Sequence, residues 1–570
     1  MSVDDATSVA TRLLRRRPAE LLPPFLGDAA TGIVAQTVGL AALSVALFSL
    51  RGTDRIERLV DAVTALTESE EVTGTEIQAV QDALAGLLTP TVTATLAVGA
   101  AVGAVAVVVF RAVVGAAKLN AAMVAVRETR DDAGDGAGHE AGTDRRPSVS
   151  TDGGASLGPL TAAVEGVFAD TWRLAGLTVL RGAVLLVPFL LAAVEPLALL
   201  LLVPALPFAY VGFLFAAEAV VVDDVGPVGG VRRNLVFLRR DPERAVLYVV
   251  VEVSAYVGLL VLSGVLGVVG VSRVASVASL FLLLPWLALV RMGVYLPAAS
   301  TESATGGVTD ADRRGRDAGR VSEGDGPAGA EDRTAEGPPA TADEGATAPW
   351  DEDKDRGEED GSDAPAAGEG GLWAVLVDLR EGLRTGVAEL RRFLAAHPGL
   401  FAVSLATFVV GTGVGRLLGP SAPAPITGDP GAVFGTFPLG TAIDLAANNW
   451  LVAVSGSFAG VALGVPTLAN LLFNGLLVGT ASGLLESRAF VALVLPHAVV
   501  EVPALAVGGA LGLQFAREGY GVARGRTAAA EFAAELRRGL YVLVGLLPVF
   551  LVAGVVEAFV TPAVARLVVG

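Results

Sequence analysis

The chain has 570 residues, 53% of them hydrophobic, and a mean hydropathy of +0.61. Apolar runs of about 18 residues or more recur along it, the length needed to cross ~30 Å of hydrocarbon, which excludes an ordinary soluble globule; being continuous rather than alternating, they also exclude an outer-membrane barrel. A net charge of −18 leaves no basic footprint for nucleic acid, and the absence of cysteine excludes disulfides, thiolate catalysis and zinc–thiolate sites.

The expected fold class is all-α: a polytopic helical membrane protein with about eleven transmembrane helices, six in a first bundle and five in a second. The opening "MSVDDATSVATRLLRRRPAELLPPF" carries arginines but no apolar core before residue 29. A retained first span is therefore expected instead of a cleaved signal peptide. Spans are expected near 29–50, 92–117, 176–194, 197–222, 245–271 and 274–297. The acidic segment 51–90 between the first two has some amphipathic helical character.

Arginine clusters next to span ends set the orientation. "RLLRRR" before the first span, Arg111, Lys118, Arg127 and Arg130 after the second, and "VRRNLVFLRRDPER" at 231–244 all assign their loops to the cytoplasm. The N-terminus is then cytoplasmic, and with eleven spans the C-terminus is outside, at the cell membrane. Charged groups inside a span cost about 2.5–3.5 kcal/mol on insertion scales, so Glu218 and Glu252 need a reason. Glu218 lies close in sequence to Asp223, Asp224, Arg232 and Arg233, and an arginine or interfacial water satisfies it. Glu252 is expected as a buried, neutral carboxyl.

Two segments, 131–158 and 300–370, are rich in Gly, Asp, Glu, Ala and Pro and almost free of large apolar residues. Neither can bury enough surface to offset chain entropy, so both are expected to be disordered. Residues 301–370 hold 20 acidic against 7 basic residues and supply most of the net charge. The expected organisation is a six-span module at 1–299, an acidic cytoplasmic linker at 300–370 and a five-span module at 371–570. Lysine is nearly absent, with Lys118 and Lys354 the two among 41 basic residues. That acidic, lysine-poor balance suits a high-salt organism such as a halophilic archaeon.

The second module has spans near 399–418, 450–465, 467–485, 490–515 and 539–560, and it is richer in polar residues. Asn448 and Asn449 open its second span. Asn470 and Asn474 lie one turn apart on the next, as do His497 and Glu501 on the one after, so each pair shares a helix face. Gly475, Gly479 and Gly483 repeat every four residues, the pattern that lets membrane helices approach closely. Pro496 and Pro503 bracket the His–Glu pair and loosen the local hydrogen-bond ladder. One reading makes Asn474, His497 and Glu501 hydrogen-bond partners that hold helices in register; the other makes them an ion, proton or ligand site. No catalytic residue, cofactor or metal is expected: H-E-x-x-H requires a second histidine, and neither His139 in the first linker nor His397 at a span entrance supplies one.

The elements "ANNW" (447–450), "GVALGVPT" (460–467), "LLFNGLLVGTASG" (471–483) and "LPHAVVEVPALAVGGALGL" (495–513) together resemble the stage II sporulation protein M family over about 385–565. The family pattern runs N-N, N-G-x-x-x-G and P-H-G-x-x-E-x-P-A, and here Ala498 stands where the family has glycine. The resemblance implies a five-span membrane protein with no established enzymatic activity. In sporulating bacteria it implies a membrane complex carrying peptidoglycan-degrading partners; members also occur in organisms that never sporulate, including archaea, where no such substrate is expected. Asn448, Asn449, Asn474, Gly475, His497, Glu501 and Pro503 match its motif positions. Residues 213–253 of the first module are similar to the six-span membrane domain found with some glycerophosphodiester phosphodiesterases, but no catalytic domain accompanies them. The expected function is a non-enzymatic scaffold organising partner proteins, with membrane lipids and unidentified membrane proteins as partners and an unspecified oligomeric state. The competing expectation is a transporter or lipid-handling protein with a polar site at the midplane.

Overall fold

In lipid a continuous apolar run can satisfy its backbone within itself only as an α-helix. The computed structural model, which describes residues 2–69, 73–135, 158–296, 372–419 and 438–569, is helical nearly throughout those residues. A short amphipathic helix α1 (Val3–Arg16) precedes the first long helix α2 (Pro18–Ser49). Its buried face of Val3, Ala6, Val9, Ala10 and Leu13 joins the core of the first module, a role the apolar-run reading had not given it. The segment expected to be partly amphipathic forms α3 (Arg55–Glu68) and α4 (Gly74–Leu87).

Next come α5 (Pro90–Asp135) and α6 (Gly158–Ala192). The fourth span is interrupted. A 3₁₀ turn at Pro196–Leu201 leads into α7 (Leu202–Val211), and α8 (Ala216–Val222) resumes after a break at 212–215. The basic segment is α9 (Pro227–Arg240), followed by α10 (Pro242–Val268) and α11 (Ser272–Leu296). The remaining helices are α12 (Leu372–Ala396), α13 (Pro398–Leu418), α14 (Leu439–Ala459), α15 (Val465–Leu484), α16 (Ser487–Ala523) and α17 (Ala529–Val568).

Among the described residues ten helices are long and apolar enough to cross a membrane, against about eleven expected. The one that falls short is α14, whose first half carries Asp444, Asn448 and Asn449. It is packed on several sides, by α2, α16 and α17, so it does not need a uniformly apolar surface. Its span also begins earlier than expected. Asn448 and Asn449 lie at the middle of the 21-residue helix, and the chain has already turned at Leu463 and Gly464, both with positive φ.

The two expected disordered segments fall mainly outside the described residues, except that α5 continues helically as far as Asp135 and α6 starts at Gly158. Met1–Ser300 and Glu381–Gly570 form one compact unit. The six-span and five-span parts share a core in which Leu26, Ile33, Phe110 and Leu160 pack in the same cluster as Trp450, Phe515 and Leu543. Phe281 of α11 stacks on Trp450 of α14 at 5.0 Å, and Asp444 accepts hydrogen bonds from Arg273 N (2.6 Å) and Ser272 Oγ (3.3 Å) at the start of α11. The second unit, Thr301–Arg380, is described only in its helical residues from Leu372 onward.

Candidate functional site

The polar residues of the second module separate into three groups. Asn448 Nδ2 donates to Asn449 Oδ1 at 3.1 Å, and both stay half-buried on α14. Asn474 Nδ2 donates back along its own helix to Asn470 O (2.8 Å) and Oδ1 (3.2 Å). Asn470 and Asn474 border a cavity of about 10 Å³ beside Gly456, Thr467, Leu505 and Gly509, the size of about one water. His497 and Glu501 belong to neither group. The expected hydrogen bonds joining Asn474 to His497 and Glu501 are not formed, because the asparagine amide already has acceptors within its own helix.

What His497 and Glu501 meet is a third residue, Glu557, that the spacing of motifs could not bring to them. It lies in a π-helical stretch of α17, Val556–Val560, which packs against α16. One potential ligand atom from each of His497, Glu501 and Glu557 lies within 4.8 Å of the other two. All three side chains are half-buried. His497 Nδ1 stands 3.5 Å from Thr561 Oγ1, itself 3.3 Å from Val556 O. Neither Glu501 nor Glu557 has a hydrogen bond or ion pair with a described residue. Pro496 and Pro503 lie inside α16, which stays helical through both from Ser487 to Ala523.

The glycine repeat brings a neighbouring helix close, as its spacing led one to expect. A Cβ on Gly475 would lie 2.1 Å from Phe408 O, and one on Gly479 would lie 2.0 Å from Thr412 O, so the repeat packs on α13. The seam is reciprocal: Gly411 and Gly415 of α13 would place a Cβ 2.3 and 2.1 Å from the carbonyls of Leu472 and Leu476. Gly483 is buried one turn further along. The spacing of "GTGVG" (411–415) was the available signal for the partner. α16 also approaches the C-terminal end of α14 closely, with Gly460 against Gly512 O.

Several acids of the first module have partners. Glu218 is fully buried, and Arg291 Nε donates to its Oε1 at 2.5 Å, so an arginine pairs with it as expected, though from α11 rather than from the neighbouring basic segment; its Oε2 has no partner among the described residues. Tyr210 Oη donates to Glu252 at 2.6 Å. Lys118 pairs with Asp28 at 2.6 Å. Asn234, also fully buried, repairs the break between α7 and α8: its Oδ1 accepts from Phe215 N, and its Nδ2 donates to Val211 O and Gly212 O. Asp28, Tyr256, Ser263, Ser276, Ser279 and Ser455 contribute the polar lining of an open cavity of about 620 Å³ between α2, α10, α11 and α14.

Residues 404–562 match the model of the family described as Stage II sporulation protein M. The match lies within the 385–565 read from the motifs and includes no residue of the first module. No curated protein and no solved structure matches the chain.

Proposed function

We propose that this multi-pass membrane protein is a non-enzymatic scaffold that organises partner proteins at the cell membrane, with its N-terminus in the cytoplasm and its C-terminus outside. The observation that carries this reading is the interlocked seam of Gly411, Gly415, Gly475 and Gly479, where α13 and α15 meet backbone to backbone. Helices fitted this tightly behave as one body, which suits a rigid platform. The likeness of residues 404–562 to the Stage II sporulation protein M family is consistent with the same reading.

The test is crosslinking in native membranes followed by capture of the tagged protein, with wild type beside a His497→Ala/Glu501→Gln variant of equal helicity. A scaffold yields a reproducible, stoichiometric partner set in wild type, and the variant shows whether the His497–Glu501 face is the point of contact. A well-folded wild type without a stoichiometric partner rejects the reading.

A second reading, a transporter or lipid-handling protein, is favoured by one observation: three ionisable groups, His497, Glu501 and Glu557, converge within membrane-spanning helices. Glu501→Gln separates the two. It abolishes ion- or pH-dependent transport in a carrier and leaves assembly nearly intact in a scaffold.

A further inference from the structure

His497 and Glu501 project from consecutive turns of α16, and Glu557 reaches them from the π-helical stretch of α17. Stretches of this kind recur at functional sites because the wider turn changes which side chains face a neighbour. Donors that share one ion at about 2.1 Å stand roughly 3–4 Å apart, so ligand atoms already within 4.8 Å of one another need to move only about 1 Å.

Two further observations point to a cation. Glu501 and Glu557 are adjacent acids within spans, yet no described basic residue pairs with either, whereas Glu218 has Arg291 and Asp28 has Lys118. A dication would cancel the mutual repulsion of two carboxylates held this close together. In addition, Thr561, 1% exposed, is placed to orient the imidazole. With its hydroxyl hydrogen directed to Val556 O, its oxygen can accept Nδ1–H of His497 and leave the other ring nitrogen with a free lone pair. Metal-bound histidines are commonly held by such an outer partner.

We propose that His497, Glu501 and Glu557 form a binding site for a divalent transition cation, which clasps α16 to the far end of α17. One imidazole and two carboxylates suit zinc, manganese or iron(II) better than copper(I), which prefers sulfur. Glu501 is 16 residues from Arg517 on α16, and Glu557 is 19 residues from Arg538 on α17. At 1.5 Å per residue these are about 24 and 28 Å, near the far side of the hydrocarbon layer from those arginines. A cation therefore enters from the face opposite the arginines without crossing the bilayer. The proposal goes beyond the scaffold reading and does not rest on it, since a clasp can serve either function.

The experiment uses the full chain, freed of any affinity tag and stripped with EDTA in detergent, then dialysed against zinc or manganese with bound metal counted by mass spectrometry. Wild type retains about one equivalent of either ion per chain, and Glu557→Gln and His497→Gln, which remove a ligand, each weaken binding by more than the roughly 10- to 100-fold that loss of an outer partner costs. Glu486→Gln, at the start of α16 and outside the cluster, binds as wild type does. Glu557→Asp, which keeps the carboxylate, retains measurable binding if Glu557→Gln does not fold. A well-folded wild type that retains neither ion, or a folded Glu557→Gln that binds as tightly as wild type, overturns the site.

Discussion

Gly475 lies so close to Phe408 that a methyl group on its Cα would sit 2.1 Å from the Phe408 carbonyl oxygen. No side chain separates the two helices there, and the atom in the way is backbone, which cannot swing aside. Gly475→Ala and Gly479→Ala should each destabilise the protein by about 1–3 kcal/mol, the usual cost of overpacking. Gly413→Ala, on the same helix as Phe408 but with nothing within 4 Å of the added carbon, should be neutral or slightly stabilising. Thermal unfolding in detergent, followed by circular dichroism, checks the contrast.

The pair of fully buried Glu218 and half-buried Arg291 makes a different prediction, because removing the arginine strands a buried carboxylate. Arg291→Met should cost about 3–5 kcal/mol, while the double change Glu218→Leu/Arg291→Met should recover much of that loss. The measurement is the melting temperature of the two variants beside wild type. If the double variant is no more stable than the single one, Glu218 and Arg291 are not an energetic pair.

Asn234 offers a third test, at the break between α7 and α8. Its side chain satisfies one backbone donor and two acceptors where helix geometry cannot. Each buried group left without a partner costs about 1–3 kcal/mol. Asn234→Leu, similar in size but without polar atoms, should therefore lower folded yield sharply. Asn448→Leu, which breaks one side-chain bond on a half-buried face, should have a much smaller effect. Size-exclusion profiles of the two variants make the comparison.

The sequence announces spans because apolar length is a local property, and it announces same-face pairs because helical spacing is fixed. Hence the long helices, the Gly475/Gly479 seam and the pairing of His497 with Glu501 on one face were all legible. Contacts between helices distant in the chain are not local. Glu557 lies 56 residues beyond Glu501, in a span that reads as plain apolar sequence, and a π turn helps decide which way it faces. Arg291 was likewise hidden, since Arg232 and Arg233 lie much closer to Glu218 in sequence. α14 misled in the opposite direction: its polar middle resembles a span entrance until the helices around it are known.

The shared core makes the last prediction. Leu26, Phe110 and Leu160 from before the acidic segment pack in one cluster with Trp450, Phe515 and Leu543 from after it. Asp444 adds hydrogen bonds to the first turn of α11, and Phe281 stacks on Trp450. If these contacts, rather than the covalent connection, hold the halves together, cutting the chain between 301 and 370 should not release them. A protease site placed there should yield two fragments that still co-elute in mild detergent. Asp444→Ala removes a cap worth about 0.5–2 kcal/mol, and it should lower the denaturant concentration at which the cut fragments part. Fragments of the cut wild type that separate at once, without denaturant, would mean that the halves depend on the tether and that the common core contributes little to their association.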